Sequence, residues 1–189
     1  IFADECYSEI YRDVPPPGAL QVAQDMGAAP ERVVIFHSLS KRSNLPGLRS
    51  GFCAGGPQSI GRIRQLRAFA GAPLPEPLQV VAAAVWHAHV DENRALYHRK
   101  YEIADDILGH VPGYQSPQAG FFLWLPVDDG EPAAVKLWQE TGVRVLPGAY
   151  LSRDVDGENP GAKYIRVAMV APTQEMQRGL TLIRDCLYD

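Results

Sequence analysis

The stretch 36–51, FHSLSKRSNLPGLRSG, sets two hydroxyls, an amine and a guanidinium close together along the chain. Ser38, Ser40, Lys41 and Arg49 are donors of the kind that hold a phosphate dianion. The amine has a second use. A lysine beside a buried strand, with cationic neighbours, loses its proton more readily, and a neutral amine attacks carbonyl carbon. The β-branched run Val33-Val34-Ile35 comes just before, so these residues fall where a strand gives way to a loop. A Ser-x-Ser-Lys taken alone also fits a solvated loop lysine.

Two further groups carry chemistry. Asp4 ends a short apolar run at 1–4, read as a buried strand, and Tyr7 follows it. That carboxylate either caps the turn after the strand or faces a ligand, and Tyr7 either packs on the sheet or donates its hydroxyl. In 163–170 a period of two puts Tyr164, Arg166 and Ala168 on one face and Ile165, Val167 and Met169 on the other. Arg166 therefore points away from the apolar face. A guanidinium fixed on a strand either pairs with a neighbouring acid or grips a carboxylate with two parallel hydrogen bonds.

Composition excludes other classes. Lys and Arg number 18 against 22 Asp and Glu, a net charge of −4, which gives no basic stripe for nucleic acid. Cys6, Cys53 and Cys186 are odd in number and far apart, unlike a zinc site or disulfide framework, and fit a reducing cytoplasm. His87 and His89, read on a helix over 78–90, point in different directions, whereas a shared metal needs a spacing of three or four. His37 either lines the lysine stretch or makes a structural hydrogen bond. The longest apolar run, 80–86, is too short to span a bilayer, and the glycines form neither GxGxxG nor GxxxxGK.

The elements that position these groups follow from periodicity. A helix around 20–29 crosses from the first strand to the Val33 strand and makes a parallel unit. A third strand is expected at 51–54, then a helix at 60–69 with Arg62, Arg64 and Arg67 on a solvated face. The prolines of 70–77 break the chain. Asp91 is expected to cap a second long helix to about Leu108, whose Tyr97, Tyr101, Ala104 and Leu108 form one stripe. After Gly113 come strands at 119–125, 143–146 and 163–170 and helices at 131–140 and 173–188. Met176, Leu180, Ile183 and Leu187 share a face of the last helix. The pattern predicts an α/β protein, with domains at 1–90 and 91–189 joined through a helix at 91–108.

Ser38-x-Ser40-Lys41 followed by Pro46-Gly47-x-Arg49-x-Gly51 resembles the cofactor lysine segment of class I/II, fold-type-I aminotransferases. Asp4-Glu5-Cys6-Tyr7 and Ile165-Arg166-Val167 are similar to that family's Asp-x-x-Tyr and near-C-terminal arginine elements. The resemblance implies part of a large domain with a mostly parallel sheet, plus a small C-terminal α/β sandwich. It also implies pyridoxal 5'-phosphate bonded to Lys41, with its phosphate on Ser38, Ser40 and Arg49, its ring nitrogen on Asp4 and its ring oxygen on Tyr7. Arg166 then binds the substrate α-carboxylate, Lys41 shuttles the α-proton, and the intact enzyme is a cytoplasmic homodimer acting on amino and keto acids.

Within the family, the run 37–49, with Val145-Leu146-Pro147-Gly148-x-Tyr150-Leu151 and Asn159-Pro160-Gly161, is most similar to succinyldiaminopimelate aminotransferases. That likeness implies transfer between glutamate and N-succinyl-2-amino-6-oxopimelate in lysine and diaminopimelate biosynthesis. Arg42 and Arg153 are the charged candidates for the distal substrate arm. The family's glycine-containing phosphate loop, ring-stacking aromatic and ring-oxygen asparagine lie upstream of its Asp-x-x-Tyr, where this sequence has only Ile1, Phe2 and Ala3. The expectation is therefore a chain without those parts. Two alternatives remain: another aminotransferase or a carbon-sulfur lyase on the same scaffold, and a non-catalytic fragment or ligand-binding module.

Overall fold

The computed structural model describes residues 1–71 and 74–189, so Ala72 and Pro73 of the proline break lie outside the described residues. The chain divides into two compact units, Ile1–Ala95 and Leu96–Asp189.

In the first unit β1 (Phe2–Asp4) pairs in parallel with β2 (Val34–Ser38), and β3 (Gly51–Gly55) pairs antiparallel on the other side of β2. The parallel pair has the crossover it needs in α1 (Ala19–Asp25), which ends before Gly27 at φ 67°. β3 has no such crossover. The chain between β2 and β3 holds only α2 (Leu39–Arg42) and a 3-10 turn at Pro46–Leu48, so it folds straight back. The mostly parallel sheet expected for this region is therefore a mixed sheet here. A second correction concerns β1. Val33 and Val34 are buried, but Ile1 is 82% and Phe2 78% exposed, because β1 is an edge strand with no described residue covering that end.

Helix α3 (Pro57–Phe69) buries none of its residues, leaving Leu66 and Phe69 exposed beside its arginines. Its N-terminus is held by Glu31, whose carboxylate accepts from the Gln58 and Ser59 amides at 3.0 and 2.8 Å. Those two bonds hold the Glu31 carboxyl below its ordinary value. Helix α4 (Glu76–Ala84) stops well before the expected Val90. The chain turns through 85–89, and His89 takes the left-handed conformation at φ 61°. His87 and His89 thus sit in a turn. The next helix, α5, begins at Val90 and runs to Leu108, so Asp91 lies inside its first turn rather than capping it.

In the second unit the α5 stripe Tyr97, Tyr101, Ala104 and Leu108 is buried, as the spacing requires. Strands β4 (Phe122–Pro126), β5 (Leu146–Pro147) and β6 (Tyr164–Ala168) form an antiparallel sheet in the order β4-β6-β5. β4 starts later than expected because Gly120, at φ 77°, still turns the chain. β5 also starts late, after α6 (Gly130–Thr141) ends on a left-handed Gly142. Ile165, Val167 and Met169 face the core, as do Met176, Leu180 and Ile183 of α7 (Thr173–Leu187), while Leu187 is half-buried. Among the described residues, no helix is long and apolar enough to cross a membrane.

Lys100 pins this core. It is 2% exposed, its Nζ donates to the Met169 and Ala171 carbonyls at 2.7 Å each, and it lies 5.1 Å from the Tyr97 ring centroid. Burial pushes its pKa below the ordinary 10.5. Lys100→Met leaves both carbonyls unpaired and is expected to cost about 1–3 kcal/mol. The folded chain holds this proton less readily than the unfolded one, so the penalty of the buried charge is full at neutral pH. It is relieved as pH rises through the depressed value towards 10.5. Urea denaturation across that window should show the wild-type advantage over Lys100→Met growing with pH, and a constant difference would refute the assignment.

Candidate functional site

β2 delivers Ser38 to the end of the sheet in an extended conformation, and Ser38 caps α2 by accepting the Ser40 amide on its Oγ at 3.1 Å. The two hydroxyls lie 3.0 Å apart, and Ser38 Oγ is 3.4 Å from the Ser50 carbonyl. α2 is only four residues long and carries Lys41 in its middle. Leu39, fully buried, holds its underside, and the Lys41 carbonyl accepts from Asn93 Nδ2 at 3.0 Å.

The residues after Lys41 are fastened to the α4–α5 turn. Arg42 Nε and Ser43 Oγ both donate to the Trp86 carbonyl, at 3.1 and 2.9 Å. The Arg42 guanidinium also pairs with Glu9, reaches His87 Nδ1 at 3.3 Å and stacks 4.8 Å over Trp86. A side chain committed in this way is poorly suited to reading a distal substrate arm. Sequence reasoning missed Glu9, Trp86, Asn93 and Arg94, and no local spacing points to them, since their partners are 33 to 85 positions away.

The chain then returns. Arg49 adopts a left-handed conformation at φ 51° and its Nη1 donates to its own turn at the Pro46 carbonyl, 3.0 Å. Gly51 pairs with Ser38 across the antiparallel ladder, and the Leu39 amide donates to the Ser50 carbonyl at 3.1 Å. A Cβ at Gly51 would lie 2.3 Å from the His37 carbonyl oxygen, so only glycine permits this approach. Pairing at Ser38 and Gly51 thus brings the Arg49 segment back beside the two serines.

Asp4 pairs with Phe36 in the parallel register, so Asp4 and Ser38 stand at the same, C-terminal end of adjacent strands, where open α/β sheets bind ligands. Asp4 Oδ1 accepts the Cys6 amide at 3.1 Å, which is the turn-capping role, and the residue is exposed. Burial, then the hydrogen bond and charge of Asp4, push the Cys6 thiol up to about 11, which removes it as a nucleophile. Tyr7 follows, half-buried, in a turn closed by the Ile10 amide on the Tyr7 carbonyl at 2.9 Å. His37 makes a structural contact: its Nε2 is 3.0 Å from Glu5 Oε2 and its ring stacks on Phe52.

In the second unit, Arg166 lies on the outward face of β6 in register with Trp124. Its guanidinium rests 4.3 Å from the Phe122 ring centroid, and among the described residues no hydrogen bond or ion pair engages it. Arg153 is exposed in the loop beyond Leu151. No group of three or more His, Cys, Asp or Glu among the described residues is arranged to hold a metal.

The sequence model of the aminotransferase class I and II family matches residues 1–183. The transaminase OxyQ of Streptomyces rimosus, which acts on 4-dedimethylamino-4-oxo-anhydrotetracycline, is 37% identical over 92% of this chain and 47% of its own. An LL-diaminopimelate aminotransferase of Dehalococcoides mccartyi is 29% identical over 94% of this chain and 45% of its own. The crystal structure of an aminotransferase from Neisseria meningitidis superposes with a TM-score of 0.89 at 40% identity, over 97% of this chain and 48% of that one. The chain spans about half the length of the curated relatives it matches.

The local geometry makes one prediction about α2. Ser38→Ala removes its N-cap and is expected to cost about 1 kcal/mol. Equilibrium denaturation followed by circular dichroism measures it, and an unchanged midpoint would show that the cap does not hold the helix.

Proposed function

The chain belongs to the class I and II aminotransferase family, and we propose that it serves pyridoxal-phosphate-dependent transfer of an amino group between an amino acid and a keto acid, with Lys41 as the cofactor lysine. The observation that carries this reading is the meeting of the Ser38 and Ser40 hydroxyls, 3.0 Å apart, at the head of the turn bearing Lys41, with Ser50 and Gly51, just after Arg49, paired beside Leu39 and Ser38.

The donor set suits the cofactor. Two hydroxyls and a guanidinium match a phosphate dianion, and Asp4, with one oxygen on Cys6, keeps lone pairs for a protonated ring nitrogen. Tyr7 would donate its hydroxyl to the ring oxygen. When bound, the cofactor supplies an electrophilic aldehyde and a ring that accepts electrons as the substrate loses its α-proton. The chain supplies the rest. Lys41 Nζ takes and returns the α-proton, and Arg166, 4.3 Å from the Phe122 ring centroid and without a hydrogen bond or ion pair among the described residues, grips the α-carboxylate.

For the substrate, the run 37–49 and the Val145–Leu151 stretch favour N-succinyl-2-amino-6-oxopimelate with glutamate as donor, and the diaminopimelate relative shares that carbon skeleton. The 37% identity to OxyQ favours a second reading, a larger cyclic ketone as acceptor. Turnover assays with both acceptors separate the two. By family, the working assembly is a homodimer.

Borohydride reduction of the chain loaded with pyridoxal phosphate should attach the cofactor to Lys41. Peptide mass mapping that finds label only on Lys100, Lys136 or Lys163 would overturn the assignment.

Arg166→Lys replaces a two-pronged donor with a point charge and should weaken glutamate binding by about 2–3 kcal/mol while leaving cofactor attachment intact. Calorimetric titration with glutamate measures it, and unchanged affinity would remove Arg166 from the carboxylate site.

A further inference from the structure

We propose that Glu9 is a positioning residue for Lys41: its carboxylate, set between Arg42 and Arg94, locks the one-turn helix that bears Lys41 to the segment that bears Tyr7. The proposal deepens the reading of Lys41 as the cofactor lysine and rests on it for its functional meaning.

Glu9 lies two residues after Tyr7, and Arg42 is the residue after Lys41. Both carboxylate oxygens of Glu9 are engaged, Oε1 by Arg42 Nη1 and Oε2 by Arg94 Nη2 at 2.6 Å. Arg94 Nε also donates to the Glu9 carbonyl at 3.2 Å, and its guanidinium lies 4.3 Å over the Tyr11 ring. The three side chains are 25%, 11% and 23% exposed, so water screens them only in part.

One anion here holds two cations in place. Without its charge, Arg42 and Arg94 face a common gap with nothing between them. Asp91 does not substitute, because it reaches only Arg94, at 3.1 Å, and is 95% exposed. His87, at the other side of Arg42, brings no negative charge. The outcome is a displaced Arg42, which takes with it one of the two bonds from the Lys41 turn to the Trp86 carbonyl.

Glu9→Gln preserves shape and removes the charge. In the chain without cofactor, two readings follow the lysine turn: hydrogen exchange of the peptide covering 39–43, and brief acetylation of Lys41 with Lys136 and Lys163 as internal references. Exchange should quicken by about tenfold or more, Lys41 labelling should change several-fold against the references, and Glu9→Asp should restore part of both.

Glu31→Gln weakens the same unit at the head of α3, where its carboxylate holds the Gln58 and Ser59 amides rather than the lysine turn, and serves as the control. If Glu9→Gln leaves both readings unchanged, or Glu31→Gln shifts them as far, Glu9 is only structural and the proposal fails. Should Glu9→Gln not fold, Arg42→Lys is read the same way, since it keeps a cation opposite Glu9 but loses the fork to Trp86. Unchanged readings there overturn the proposal as well. Neither reading involves pyridoxal phosphate, so failure of the cofactor to attach at Lys41 would sink the proposed function while leaving this test intact.

Discussion

A helix of four residues cannot hold itself together, because one turn of hydrogen bonds does not repay the cost of nucleating it. The turn that carries Lys41 therefore depends on a partner, and the partner is the Trp86 carbonyl. That oxygen is available because α4 ends at Ala84 and the chain does not continue as helix through 85–89. The left-handed His89 marks that interruption. A break between two helices thus provides the acceptor for Arg42 and Ser43, and Asn93, one turn into α5, reaches back to the Lys41 carbonyl.

What the sequence made legible was periodic or closely spaced. The Tyr97 to Leu108 stripe, the alternation along β6 and the apolar face of α7 each repeat a side-chain direction fixed by backbone geometry, and burial follows them. The order Ser38, Ser40, Lys41, Arg49, Gly51 was legible because each residue serves the same short loop. Long-range partnerships were not. Glu9 meets Arg94 across 85 positions, and no local pattern encodes that meeting. The helix break was missed because Val85 to Val90 reads as compatible with helix, and a left-handed histidine leaves no mark in composition. The burial of β1 was overestimated because an apolar run tells only that a strand prefers cover, not that the chain itself supplies it.

The two units differ in how completely they bury their apolar side chains. In the second, Leu108, Leu123, Leu125, Leu137, Ile165, Leu180 and Ile183 are nearly inaccessible, although Leu96 and Leu151 stay exposed. In the first, Phe2, Leu66, Phe69 and Val80 stay exposed and α3 buries nothing. Polar fastening accordingly carries more of the order there. The Glu31 amide bonds and the Glu9 cluster tie loops to helices, and the Glu5–His37 contact ties a loop to β2, where an apolar core is thin.

Burial of Cys6, with the hydrogen bond and charge that Asp4 brings to its thiol, has a consequence for sulfur chemistry. A thiol that ionises at about 11 is thiolate in roughly one molecule in ten thousand at neutral pH, and it is the thiolate that peroxide and alkylating agents attack. Burial, helped by the Asp4 carboxylate, therefore makes Cys6 slow to react beside the proposed cofactor site.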